Sequence, residues 1–184
     1  KLLDVIADRL YFDGLKDSPV AAYVSEERED LTVINEEGSL LLAIDPLDGS
    51  SNIETNLSIG SIFSIRSCRG DIKKSHINKQ FLTSGNEQVA AGYIIFGPQT
   101  ILVVTTGNGV FQYVLDREKK QFLLTKKGIQ IPADTQEYAV NASNARHWSK
   151  SIRLYIEDSN AGEVGPRDVN FNMRWVASLV AETH

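Results

Sequence analysis

The sequence predicts a layered sandwich of mixed α/β (α+β) class, and three observations carry that expectation. An amphipathic segment opens the chain and further helical segments close it. A continuous apolar run, "SLLLAID", reads as a strand buried on both faces. From residue 88 four strand-like segments follow one another, "QVAAGYIIFG", "TILVVTT", "VFQYVLD" and "KQFLLTK". A simple wound fold would alternate strand and helix throughout, and this order does not.

Each element has its own local reason. "KLLDVIADRLYFDGLKDSP" places Leu2, Leu3, Val5, Ile6, Leu10, Phe12 and Leu15 at helical spacing, which predicts one apolar helix face ended by Pro19. "AAYVS" and "LTVIN" are short strands on either side of an acidic loop, "EERED". "IGSIFSIR" is a further strand. The polar and basic stretch 66–79, "RSCRGDIKKSHINK", reads as a solvated surface loop. Asn108-Gly109 marks a hairpin turn, because both residues tolerate positive φ. That "GNG" lacks a GxGxxG context and a following helix, so it does not read as a phosphate loop. "SKSIRLYIED" predicts a helix, and "NMRWVASLVAETH" a second one with Val176, Leu179 and Val180 on one side. There is no internal repeat or low-complexity linker.

Composition narrows the chemistry. The chain has 184 residues, 42% hydrophobic content and a net charge of -5. That is enough apolar material for a core, and no basic stripe offers a nucleic-acid backbone a partner. Small anionic substrates remain open if metal ions neutralise the site. The one cysteine, Cys68, allows no internal disulfide and points to a reducing, cytoplasmic compartment. Apolar runs are far shorter than the roughly 20 residues of a membrane helix. The chain opens and closes inside helical segments, so it reads as a piece of a longer protein.

The richest stretch is "AIDPLDGSSN", residues 43–52. Asp45 ends a buried strand, Pro46 fixes φ and is expected to stop the ladder, and the turn brings Asp48 back toward Asp45. Two close carboxylates repel unless a cation sits between them. Oxygen-only ligands favour Mg2+ or Mn2+ over zinc, and the Leu47 carbonyl is a further oxygen in the same turn. Gly49, Ser50 and Ser51 add backbone N–H groups and hydroxyls that can close on a phosphate. An ordinary turn accounts for "DPLDG" alone; the Ser-Ser-Asn extension and a second acidic pair argue for more. That pair is Glu26-Glu27, which follows a short strand as Asp45 does. If those strands are neighbours, four carboxylates meet at one sheet edge and two divalent ions balance them. Glu27 would then position or deprotonate water. Asp4, on the first helix, is either a solvated acid or a supporting one. His76, His147 and His184 form no HExxH, no GxSxG is present, and Cys68 reads as incidental.

"AIDPLDGSSNIETNLSIGSIFSI" resembles the signature of class 1 fructose-1,6-bisphosphatases, within the wider lithium-sensitive sugar and inositol phosphatase superfamily. "KLLDV", "VSEE", "QVAAGYIIFGPQT", "NAS" and "RWVASLVAETH" extend the likeness along nearly the whole chain. The resemblance implies a sugar-phosphatase-like α/β/α/β/α sandwich, a homotetramer, and Mg2+-dependent release of the 1-phosphate from fructose 1,6-bisphosphate. It implies that Glu26, Asp45, Asp48 and the Leu47 carbonyl bind metal, and that Glu27 binds a further ion or activates water. Asp4 would support the site. Asp48, Gly49, Ser50 and Ser51 would cradle the 1-phosphate, and Asn141 would bind the 6-phosphate end. Arg174 would reach the 6-phosphate site of a neighbouring subunit, and Ser178 and Leu179 would line the sugar pocket. Residues 1–184 are then expected to form a single phosphatase domain without its N-terminal helical part and its C-terminal part.

The sequence also departs from the family. Glu54 stands where an aspartate is usual, and Asn144 and Trp175 stand where tyrosines often meet phosphate. Rival readings are the same chemistry on sedoheptulose 1,7-bisphosphate or an inositol phosphate, and a non-catalytic sugar-phosphate or metal-binding protein.

Overall fold

A computed structural model describes residues 2–70, 72 and 77–184. The chain divides into two compact units, one of Lys1–Gln130 with Ser178–His184 and one of Ile131–Ala177.

The first unit is mixed α/β. It contains helix α1 (Leu2–Gly14), strands β1 (Val20–Ser25), β2 (Thr32–Val33), β3 (Leu40–Asp48) and β4 (Ile59–Ser67), helix α2 (Ile77–Phe81), and strands β5 (Gln88–Phe96), β6 (Thr100–Thr105), β7 (Val110–Asp116) and β8 (Gln121–Lys127). All eight strands form one sheet in the order β2-β1-β3-β4-β5-β6-β7-β8. β1 and β3 run parallel, with Ser25 beside Ile44, and every other pair is antiparallel. The parallel pair matters most for the site. It delivers Glu26 and Asp45, each one residue past that last pair, to the same end of adjacent strands.

Strand alternation assigns the two faces. Tyr23, Leu42 and Ile44 share the face that α1 covers through Tyr11, Phe12 and Leu15. On the other face Ala22 and Leu41 pack with Ile72, Ile77 and Phe81. Contrary to the stop expected from its ring, Pro46 does not end β3. The strand runs on to Asp48, and the ladder slips by one residue, from Asp45 opposite Ile62 to Asp48 opposite Gly60. Residues three apart on a regular strand point to opposite faces; this one-residue bulge turns Asp45 and Asp48 to the same face. The Ser61 hydroxyl donates to the Pro46 carbonyl at 2.8 Å and pins the bulge.

Three further expectations need correction. The predicted apolar face of α1 points outward: Leu2, Leu3, Val5, Ile6 and Leu10 are all exposed, and the buried residues of the helix are Asp4 and Asp8. The inward stripe is Asp4, Asp8, Tyr11, Phe12 and Leu15, which is also helical spacing. The stretch 66–79 is not all loop: Arg66 and Ser67 end β4, Ile72 is buried, and Ile77 opens α2; residues 71 and 73–76 lie outside the described residues. The hairpin between β6 and β7 exists, but its positive φ values fall on Gly107 and Gly109 and not on Asn108.

The predicted helix over residues 172–184 is also shorter than expected. Asn172 and Met173 form β10, paired in parallel with β9 (Glu137–Tyr138). Ala177 takes a left-handed φ of 58°, and only Leu179–Thr183 is helical, as α4, capped by the Ser178 side chain. Val180 is fully buried while Leu179 is exposed, so the expected shared face of Val176, Leu179 and Val180 does not form. α3 (Lys150–Asn160) is helical as predicted, with Ser149 as its N-cap. No helix among the described residues is long and apolar enough to cross a membrane. Cys68 is half-buried against the Ala22 and Leu41 cluster, and burial raises its thiol above the ordinary range, which disfavours the thiolate.

Candidate active site

The site is assembled at the ends of β1 and β3. The Glu26 N–H donates to the Ile44 carbonyl at 3.2 Å, which extends the parallel ladder by one step. This sets the Glu26 side chain against Asp45. A hydrogen bond to Asp45 and the charge of Asp45, with burial and the charges of Glu27 and Asp48 behind them, raise the Glu26 carboxyl above the usual carboxylate range. That is the conflict expected of acids held together without a counter-charge. All available donors are oxygens, so the set fits a hard divalent cation. Among the described residues no three Asp, Glu, Cys or His side chains form a ready cage. The geometry explains this: Asp45 Oδ1 accepts from the Leu47 N–H at 2.9 Å, and Asp48 is turned toward another segment.

Asp48 is held firmly. Its Oδ2 accepts from the Ser178 hydroxyl at 2.5 Å and from the Val180 N–H at 2.8 Å, and its Oδ1 from the Leu179 N–H at 3.2 Å. Burying Val180 contributes roughly 1.5–3 kcal/mol and ties this segment to the sheet. Two glycines allow the approach. Gly49 has φ of 76°, and a Cβ there would sit 2.6 Å from Ser178 Cβ; a Cβ on Gly60 would meet Val180 and the Ile94 carbonyl. A 3-10 turn, Ser50–Asn52, follows Gly49. Its first N–H groups precede any intrahelical bond, so they are available to an anion. Ser50 also hydrogen-bonds Asp4, which is buried at 4% exposure. On the same sheet face as Glu26 and Asp45 lies a mainly apolar cleft of about 620 Å3, whose lining includes Ile62, Tyr93 and Val103.

The remaining residues have these places. Glu27 is exposed, with its N–H donating to Ser25 Oγ at 3.2 Å. Asn141 and Arg174 lie in the second unit. Asn141 Oδ1 accepts from the Ser143 N–H at 3.1 Å, and Arg174 pairs with Glu137 at 2.7 Å. Sequence reasoning missed Asp8, which takes Arg28 and Tyr23 as partners beneath the acidic pair. The 4, 8, 11, 12, 15 spacing was the available signal. Burial alone would raise the Asp8 carboxyl, but hydrogen bonds from Arg28, Ser25 and Tyr23 hold it below the usual range. Its stabilising effect is therefore complete above the unfolded value of about 4 and is lost as pH falls through the lower folded value. Acid unfolding followed by circular dichroism is expected to show a weaker decline below about pH 4 in Asp8→Asn than in the wild type.

The chain has relatives among known proteins. Residues 1–127 match the model of the fructose-1,6-bisphosphatase N-terminal domain, and residues 131–184 match that of the C-terminal domain. The chain belongs to the fructose-1,6-bisphosphatase family. A class 1 fructose-1,6-bisphosphatase of Cereibacter sphaeroides is 53% identical over 184 residues, which are 100% of this chain and 54% of that protein. One from a Bradyrhizobium species is 52% identical, over 100% of this chain and 52% of its own length. The chain thus spans about half the length of these fructose-1,6-bisphosphatases. Among solved structures, the holo form of Leishmania major fructose-1,6-bisphosphatase matches with TM-score 0.86 and 32% identity, over 99% of this chain and 57% of that one. The T-state of the same enzyme gives TM-score 0.87 at 32% identity, over 99% of this chain and 58% of that one. The layered α/β class expected from the sequence is the class of these structures.

Proposed function

We propose that the protein containing this chain hydrolyses the 1-phosphate of fructose 1,6-bisphosphate, giving fructose 6-phosphate and phosphate, with Mg2+ or Mn2+ at two or more sites. The observation that carries the reading is the pairing of two acidic strand ends, Glu26 with Asp45, beside the fixed Asp48 and the open N–H groups that follow it. Glu26, Glu27, Asp45, Asp48 and the Leu47 carbonyl are the groups that would hold the ions. When bound, the ions supply positive charge to the phosphoryl oxygens and make water more acidic. Gly49, Ser50 and Ser51 orient the phosphate through backbone N–H groups and hydroxyls. Glu27, exposed beside the pair, takes the proton from the attacking water. Asp4 steadies Ser50 from below. Ser178 and Leu179 fix Asp48 and border the sugar. Asn141 and Arg174 are assigned to the 6-phosphate end, Arg174 as part of a homotetramer in which it serves a neighbouring subunit. The single half-buried cysteine is in keeping with a cytoplasmic location.

The test is hydrolysis by the full-length gene product, followed by phosphorus NMR. Fructose 6-phosphate is expected as the sugar product, with fructose 1,6-bisphosphate preferred over sedoheptulose 1,7-bisphosphate and inositol 1-phosphate. Accumulation of fructose 1-phosphate, or preference for either other substrate, would overturn the assignment.

A further inference from the structure

We infer that Asp8 is the positioning residue for the acidic pair Glu26–Glu27, because its one buried carboxylate fixes the chain on both sides of that pair. The inference rests on the proposed role of Glu26 and Glu27 in holding metal. Asp8 lies on α1 with 6% exposure, on the face that packs onto the sheet. Its Oδ1 accepts from the Tyr23 hydroxyl at 2.9 Å. Its Oδ2 accepts from Arg28 Nε at 2.8 Å and pairs with Arg28 NH2 at 2.8 Å. Ser25, between Tyr23 and the acidic pair, is also buried. Tyr23 lies three residues before Glu26 and Arg28 immediately follows Glu27, so the chain on both sides of the pair is tied to one group.

The stretch between them is closed onto these anchors. The Glu27 N–H donates to Ser25 Oγ, and the Arg28 N–H donates to the Ser25 carbonyl, each at 3.2 Å. The Arg28 guanidinium lies over the Phe12 ring at 4.3 Å and the Tyr23 ring at 5.3 Å, which limits its freedom to leave. Glu26 and Glu27 are exposed, so no burial of their own side chains holds them in place. The Glu26 N–H is held by the Ile44 carbonyl, and the hydrogen bonds that Asp8 takes from behind the sheet anchor the segment on either side of the pair. Groups that orient metal ligands in this way typically change metal affinity by about 10- to 100-fold when removed.

The test uses the full-length protein and reads Mn2+ binding by electron paramagnetic resonance, beside thermal melting and steady-state rates. Asp8→Asn is expected to raise the Mn2+ dissociation constant about 10-fold or more. Saturating metal is expected to restore kcat to within about 3-fold, because the ligands themselves are intact. Arg28→Lys keeps the charge and loses the two-pronged contact; it is expected to weaken Mn2+ in the same sense, and it decides the matter if Asp8→Asn does not fold. Unchanged Mn2+ affinity in the folded variants, whatever their melting temperature, would overturn the inference. Asp45→Asn separates the two levels. If Asp45→Asn also leaves Mn2+ binding untouched, the metal reading of the strand ends falls and this inference falls with it. If Asp45→Asn abolishes binding and the Asp8 and Arg28 variants do not alter it, only the inference falls.

Discussion

Asp48→Asn is expected to lower kcat/KM by about 10^2- to 10^3-fold, the scale on which single preorganised electrostatic groups act, and to destabilise the protein as well. The two effects have separate origins. The carboxylate collects three donors, from Ser178, Leu179 and Val180. Hydrogen bonds to a charged group are worth about 1.5–3 kcal/mol each, and an amide in this place turns its NH2 toward at least one donor. Asn also removes one negative charge from the acidic strand ends. Ser178→Ala keeps the charge but deletes the hydroxyl's bond to Asp48 and its cap on the Ala181 N–H, so it is expected to cost about 2–4 kcal/mol of stability and far less activity. Thermal denaturation together with steady-state rates distinguishes the cases. An Asp48→Asn protein that melts early but keeps its kcat/KM would make Asp48 a structural cap and nothing more.

Glu27→Gln is expected to do the reverse. Its side chain is exposed. Substitution there is expected to change stability by no more than about 0.5 kcal/mol. If Glu27 accepts the proton from water, kcat falls by about 10^2- to 10^4-fold. KM for the sugar bisphosphate stays within a few-fold, since binding rests on other groups. Rates across a substrate series, with circular dichroism as the control, check this. An unchanged kcat would remove Glu27 from the mechanism. A raised KM at constant kcat would move it to a binding role.

How much of this the sequence carried depended on whether a feature is local. The strand run over residues 88–127 was legible, because each segment combines β-branched or aromatic residues with turn chemistry at its ends. The acidic pairs were legible as chemistry, and their meeting followed once β1 and β3 proved to be parallel neighbours. The bulge at Pro46 was not legible. Proline reads as a stop, and only the partner strand, through Ser61 and Gly60, shows that the ladder resumes. The facing of α1 was misread for a similar reason. Its outward apolar residues, Leu2, Leu3, Val5, Ile6 and Leu10, outnumber the inward apolar ones, Tyr11, Phe12 and Leu15, but Asp4 and Asp8 have hydrogen-bond partners at the sheet and are buried beside the latter. The end of the chain was misread because residues 172–173 prefer a strand partner at 137–138, a pairing no window of sequence can reveal. The Asp48 cap on Ser178 spans 130 positions and is legible only in three dimensions.

In the proposed function the acids at the ends of β1 and β3 work with divalent ions to cleave a sugar bisphosphate. The most direct measurement is phosphate release from fructose 1,6-bisphosphate by the full-length gene product, with Mg2+, after chelation, and after Mg2+ is restored. Release is expected to stop with the chelator and to return with the ion. Release that persists through chelation, or none under any of the three conditions, would contradict it.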